Sequence, residues 1–443
     1  MRNQTILDDL GKFISIPSYS TGDRQKEIEQ VVVFLTEKLK KFGCTVYCLR
    51  QQNNPPLIVG RLTVDKHAKT IGIYGHYDVQ PADPIEEWRT PPFSITRKGG
   101  KLYGRGIADN KGHVIQNMYA AKELLDAGKL TNNIVFLLEG EEESGSVVFE
   151  PLLKKHRALF SGADVWYITD VGMRAKAKPQ IFYALRGLVY LELTVSIGER
   201  DLHSGVYGNS IFNPAQVIAD LLSKMKNIST GKITIPGYYK NVRKIDKNEL
   251  VLLKKIQTSN NDLMKEMKSY GVMSQKPIAA YLSAKILPSL DVNGMNSGYT
   301  GDGAKTIIPK SATVKFSSRL VEYQTAKEIH DLLTTFIKTH MPKGVKYDIK
   351  VHATDDPFYT SLDNAYVQKT AQIMGEHFGT KTLFNRSGGT IPAAEILQRL
   401  FHKPIILTGF TLPDDNIHAP NENFDEDMFW EGIEVLKKVY GGI

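Results

Sequence analysis

Cysteine is nearly absent: Cys44 and Cys48 are the only two in 443 residues. Two thiols cannot build a disulfide framework or a four-sulfur zinc site, so both are expected as buried, reduced side chains. Long apolar runs are missing as well, and no stretch approaches the roughly 18 to 20 residues of a membrane span. The first ten residues carry Asp8 and Asp9 where a secretory signal would carry its apolar segment, so a cytoplasmic protein without a membrane partner is expected. A phosphate-loop GxxxxGK[ST] spacing is absent, and so is a G-x-S-x-G elbow; Gly294-Met-Asn-Ser-Gly298 has the wrong spacing, which argues against serine hydrolysis. The net charge of +8 is modest for this length. Lysines between Lys224 and Lys268 are interspersed with acids and apolar residues, without an aromatic-basic stripe, so nucleic acid is not an expected partner.

What is present is a globular composition, 42% hydrophobic and 23% charged, on a chain long enough for two or three domains. Residues 4–14 and 23–41 carry apolar side chains at helical spacing, and strand-like runs follow at 44–49, 57–62 and 70–74. Helix and strand in succession indicate an α/β fold. An amphipathic helix is expected at 113–125, a buried strand at 133–138, and another at 164–170. From residue 188 the texture changes. Strands at 188–197, 313–320 and 345–352 alternate with helices at 213–225 and 326–337, which suggests a smaller α+β domain inserted into the first. A parallel-type strand at 404–409 and a helix at 426–439 return to the first texture. The expected division is 1–187 with 386–443 as one domain and 188–385 as the insertion.

Ligand-type residues gather where the apolar strands end. His76 and Asp78 close the stretch Ile71-Gly-Ile-Tyr-Gly-His-Tyr-Asp78, and residues i and i+2 of an extended backbone face one side. Asp109 lies in the glycine-rich Gly104-Arg-Gly-Ile-Ala-Asp-Asn-Lys-Gly112, Glu142 and Glu143 follow the 133–138 strand, Asp170 ends the next, and His418 comes late. Open α/β sheets place their sites at such carboxyl ends. Nitrogen and oxygen donors without thiolate suit zinc, manganese or cobalt. Two divalent ions would be balanced by Asp109, Glu143, Asp170 and one bridging hydroxide, the nucleophile of metal-assisted hydrolysis. Glu142, adjacent to Glu143 in a segment read as extended, is left to face the water as general base.

Gly75-His-Tyr-Asp-Val-Gln-Pro81, Gly104 to Gly112, Glu139-Gly-Glu-Glu-Glu-Ser-Gly145, His203-Ser-Gly205 and Asn416-Ile-His418 together resemble the M20 family of dinuclear metallopeptidases, most of all its carnosinase-type dipeptidases. The resemblance spans essentially the whole chain. It implies a zinc-peptidase-like catalytic domain with a mainly parallel sheet flanked by helices, and an inserted α+β domain serving as lid and dimerisation element. It also implies two divalent ions per subunit, zinc first and manganese or cobalt as alternatives. Asp109 would bridge them ahead of a cis peptide to Asn110, with His76 and Asp170 completing one ion and Glu143 and His418 the other. Asp78 would orient His76, Glu142 would be the acid/base, and His203 would stabilise the oxyanion across the interface of a homodimer. Thr306 and Arg319 resemble positions that hold a substrate carboxylate, Arg319 through its planar fork; His352 and Thr390 resemble further substrate contacts.

Three residues depart from the pattern. Glu141 is acidic where relatives often have an apolar or small residue, Thr390 stands in place of a common serine, and Asp170 resembles the dipeptidases and aminopeptidases where deacylases tend to have glutamate. The implied reaction is hydrolysis of dipeptides or short peptides with a free C-terminal carboxylate. The alternative is an N-acyl-amino-acid amidohydrolase with the same site.

Overall fold

A computed structural model of the chain describes residues 2–20, 22 and 24–443. Two compact units emerge, the first comprising Met1–Tyr183, Thr360–Asn385 and Pro392–Ile443, the second Ala184–Tyr359 and Arg386–Ile391.

In the first unit the strands Asn133–Glu139, Thr70–His76, Val165–Ile168 and Ile405–Leu407 lie side by side in that order, all parallel. Leu57–Leu62 and Thr45–Leu49 extend one edge antiparallel. Every residue of Asn133–Glu139 and Thr70–His76 is buried, as expected for parallel strands covered on both faces. One face, with Ile71, Ile73, Phe136 and Tyr167, packs on the helices Arg2–Ile14, Gln25–Lys41, Lys111–Asp126 and Glu426–Gly442. The other carries Trp166, whose ring meets Phe160 and Phe401. Trp166 fits because Gly72 beside it has no side chain: a Cβ there would come within 2.3 Å of the indole.

Three expectations change. The helix Lys111–Asp126 is not amphipathic, since Lys111 to Ala121 and Leu124 are all buried; helices cover it on the side away from the sheet, so no polar stripe is needed. Cys44 is buried, and burial pushes its thiol up to about 12, but Cys48 is exposed. Residues 360–385 group with the first unit, because the helix Ala365–Phe378 lays Val367, Ala371, Ile373 and Met374 into that unit's core.

The second unit is built on an antiparallel sheet ordered Ser289–Ser297, Ser311–Leu320, Gly187–Ser196, Lys346–Asp355. Strict in-out alternation along Gly187–Ser196 gives one apolar face, which packs on the helices Pro214–Met225 and Ala326–His340. That pattern is the α+β arrangement read from the sequence. Among the described residues no helix is long and apolar enough to cross a membrane.

Candidate metal centre

The parallel strands deliver their ends to one place. His76 terminates Thr70–His76 and is fully buried. Its Nε2 lies 2.9 Å from Asp109 Oδ1 and 3.6 Å from Asp170 Oδ1. The other oxygen of Asp109 lies 2.8 Å from His418 Nε2, which in turn is 3.3 Å from Glu143 Oε2. Two ligand groups result, His76–Asp109–Asp170 and Asp109–Glu143–His418, each with donor atoms within 4.8 Å of one another and with Asp109 common to both. The Asp109–Asn110 peptide bond is cis.

Carboxylates outnumber imidazoles here, and the electrostatics follow. Hydrogen bonds that His418 donates to Asp109 and Glu143 raise it to about 10. Burial opposes a charge on His76, yet Asp170 and Asp109 raise it well above its ordinary value. Burial likewise works against ionised Asp109, but His418 and His76 hold it well below the usual carboxylate range. The pocket thus draws positive charge. Burial raises Glu142 well above its ordinary value and raises Asp170 as well. Glu143 Oε2 accepts from Gln80 Nε2 at 2.8 Å, while its Oε1 is buried without a hydrogen-bond partner. An orphaned carboxylate oxygen beside a shared aspartate, in an all-nitrogen-and-oxygen donor set, fits divalent ions such as zinc, manganese or cobalt.

The acids after the central strand divide their tasks by environment. The segment Glu142–Ser144 is a 3-10 turn and not extended. Asp78 secures it: its carboxylate accepts from the backbone N–H of Glu142 at 3.3 Å and of Glu143 at 3.0 Å. His76 Nδ1 is closer to the Asp78 carbonyl oxygen, 3.1 Å, than to its carboxylate, 3.4 Å. Asp78 therefore orients the imidazole through Nδ1 mainly by its backbone carbonyl, and the acidic turn by its side chain. Glu141 accepts from Asn54 Nδ2 at 2.6 Å and from the Val148 N–H at 3.2 Å, so its departure from the family pattern serves the local turn. Burial pushes Glu139 up to about 8, with Tyr74 and Ser146 donating to it.

Sequence reasoning missed three supporting residues. Glu422, fully buried, accepts from the N–H groups of Gly106, Ala108 and Asp109 at 2.8, 2.9 and 3.1 Å and from Arg105 at 2.7 Å, which clamps the loop carrying the shared aspartate. Asn110 donates to Asp170 Oδ1 at 2.7 Å and to the Thr169 carbonyl at 2.8 Å. His113 Nε2 accepts from the Phe410 N–H at 3.1 Å, which leaves Nδ1 to donate to the Ala108 carbonyl at 3.1 Å; burial holds it neutral, down at about 4. The only available signal was their proximity in sequence to Asp109 or His418.

The remaining candidates belong to the second unit. Arg319 donates to Thr390 Oγ1 at 3.1 Å. His203 is exposed, its Nδ1 accepting from the Gly205 N–H at 2.9 Å, and the Thr306 carbonyl accepts from the Ser204 N–H at 3.1 Å. His352 lies 3.1 Å from Glu192 on the neighbouring strand, its ring tilted 42° to that of Tyr190 with centroids 5.4 Å apart.

Residues 72–441 match the sequence profile of Peptidase family M20/M25/M40. The chain belongs to this family. This M20 peptidase, a hydrolase of peptide bonds, is 31% identical over 388 residues to human Beta-Ala-His dipeptidase, covering 86% of the chain and 76% of that protein. It is 30% identical to the Cys-Gly metallodipeptidase DUG1 of Candida albicans, over 97% of the chain and 93% of that protein. Among solved structures it superposes on an M20 family metallo-carboxypeptidase from Sulfolobus solfataricus with a TM-score of 0.85 and 31% identity, covering 99% of both chains.

Proposed function

We propose that the chain is a dinuclear metallo-dipeptidase acting on dipeptides and short peptides that end in a free carboxylate. The observation that carries this reading is Asp109 standing common to two ligand groups, with His76 and Asp170 in one and Glu143 and His418 in the other. When bound, two divalent ions, zinc first and manganese or cobalt as alternatives, supply Lewis acidity and a water acidified toward neutral pH. Glu142 takes the proton from the attacking water and delivers it to the leaving amine. Asp78 holds the turn that carries Glu142. His203 of the partner subunit in a homodimer stabilises the developing oxyanion, and Arg319, with Thr306, Thr390 and His352, receives the substrate's terminal groups. The names of the curated relatives support a dipeptide substrate over an N-acyl-amino acid.

A second reading has one observation in its favour, the archaeal metallo-carboxypeptidase that matches over nearly its whole length. It keeps the same carboxylate contacts and releases the last residue from longer peptides. The metal-loaded protein should be assayed against free dipeptides, N-blocked dipeptides, tetrapeptides and acetyl-amino acids. Preference for free dipeptides supports the first reading, and equal cleavage of blocked and longer peptides the second; loss of both follows if only acetyl-amino acids are cleaved. Mixing inactive His203→Ala with inactive Glu142→Gln protein tests the shared site: each hybrid dimer keeps one working site of two, so an equimolar, freely exchanging mixture should recover roughly a quarter of wild-type activity. No recovery would place the action of His203 within its own chain.

A further inference from the structure

Arg186 lies in the second unit, between the strands Gln180–Leu185 and Gly187–Ser196. Its Nε is buried without a hydrogen-bond partner. Arg319 stands across the sheet from Leu188, and Thr390 ties the two positions together, its hydroxyl accepting from Arg319 at 3.1 Å and donating to the Arg186 carbonyl at 2.9 Å. Burial and the neighbouring Arg319 hold the Arg186 guanidinium below its usual range, at about 10. Asp291, the acid whose charge reaches Arg186, is engaged by Lys226 at 2.9 Å. Two adjacent guanidiniums without an ion pair among the described residues form an arrangement that an anion completes, since like charges repel and a buried N–H without an acceptor is unfavourable.

Arg186 also lines a cavity of about 380 Å³ whose other walls include Leu263, Met267, Met273 and Ala284. Gly388 closes over it; a Cβ there would lie 3.0 Å from Arg186 Nη2. The volume falls in the range of small-ligand pockets, roughly 300 to 1,000 Å³. Methionine walls adapt to apolar side chains of different shape. A cationic lip on an apolar cavity suits a molecule with a carboxylate on the carbon that carries an apolar side chain, whereas a bare inorganic anion would leave the apolar walls uncovered.

We propose that Arg186 and Arg319 together bind the terminal carboxylate of the peptide and that the cavity beside Arg186 takes the side chain of the same residue, so that the favoured substrates end in leucine, methionine or phenylalanine. This rests on the dipeptidase reading and names its substrate class. A carboxylate has lone pairs enough for both forks, and Arg319 commits only one N–H to Thr390. The test measures kcat and KM of the metal-loaded enzyme on Ala-Gly, Ala-Ala, Ala-Leu and Ala-Phe, for wild type, Arg186→Met, Arg186→Lys and Ala284→Trp. Wild type should favour Ala-Leu over Ala-Gly in kcat/KM by roughly tenfold or more. Arg186→Met should raise KM for Ala-Leu roughly tenfold with a smaller change in kcat, Arg186→Lys should recover part of it, and Ala284→Trp should bring the leucine-to-glycine ratio close to one. The Ala284→Trp ratio decides the matter if Arg186→Met does not fold. A wild type indifferent to the C-terminal residue overturns the inference, as does an Arg186→Met effect on kcat alone with KM unmoved. A wild type that cleaves no dipeptide overturns the dipeptidase reading itself, before any variant is made.

Discussion

In the first unit, His76, Asp109, Glu143, Asp170 and His418 bring three carboxylates against two imidazoles; in the second, Arg243, Glu249, Glu322 and Arg386 bring two carboxylates against two guanidiniums. Both groups are largely buried. The second balances internally: Arg243 meets Glu249 at 2.5 Å and Glu322 at 2.9 Å, and Arg386 meets Glu249 at 3.0 Å and also pairs with Glu322. The first does not balance, since it keeps an orphaned Glu143 oxygen and drives protons onto its histidines. Buried charge alone therefore does not mark a site. A surplus of one sign does, because it leaves work for a cation, whereas a neutral ring of pairs holds backbone in place.

Each cluster can be broken in its own currency. Replacing Glu142 with Gln should reduce kcat by roughly 10²- to 10⁴-fold with metal content and melting temperature unchanged; an active variant would remove Glu142 from the acid/base role. Arg386→Met should do the opposite, costing about 3 to 5 kcal/mol of stability by leaving Glu249 and Glu322 under-neutralised in the interior, measured by denaturant unfolding, with metal stoichiometry retained in the folded fraction. Glu422→Gln should weaken metal binding roughly 10- to 100-fold in chelator competition, because the backbone around Asp109 loses its charged acceptor. An affinity equal to wild type would show that the loop holds its shape without the clamp.

The smallest effect concerns pH. Burial pushes Asp415 up to about 7, while the same group in an unfolded chain titrates near ~4. Between those values the folded form binds more protons than the unfolded one, so Asp415 makes stability fall as pH rises from about 4 to about 7. Asp415→Asn should flatten that part of the stability profile. An unchanged slope would mean that the carboxylate is ionised in the fold.

How much of this was legible in the sequence depended on whether a residue announced itself by its neighbours. The parallel strands read clearly because burial on both faces makes them continuously apolar, and an acid or histidine at or just after such a run stands out, as His76, Glu143 and Asp170 do. Asp109, just before the helix Lys111–Asp126, and His418, in a loop, end no strand. The α/β core was legible for the same reason, the family through its motifs at 75–81, 104–112, 139–145, 203–205 and 416–418, and the inserted α+β unit through the change to alternating strands from residue 188. Glu422 was not, because Asn421-Glu-Asn423 looks like any polar turn and its four donors come from a loop more than three hundred residues earlier. The expected insertion of 188–385 takes in residues 360–385, whereas the helix Ala365–Phe378 packs into the first unit's core, a choice that nothing in the stretch itself announces. Cys48 was expected inside, but Thr45–Leu49 is the edge strand of its sheet and buries only Leu49, and only tertiary neighbours decide that.

The Glu422 clamp has a consequence for how the molecule comes into being. As a nascent chain emerges, His76, Asp109, Glu143 and Asp170 are all made long before Glu422, the acceptor that fixes the Asp109 backbone, and His418, the histidine that completes the second ligand group. An interrupted translation product would carry most of the ligands and none of their final arrangement. The finished arrangement of the two ligand groups is thereby deferred until His418 and Glu422 have been made, and a fragment released earlier is left without it.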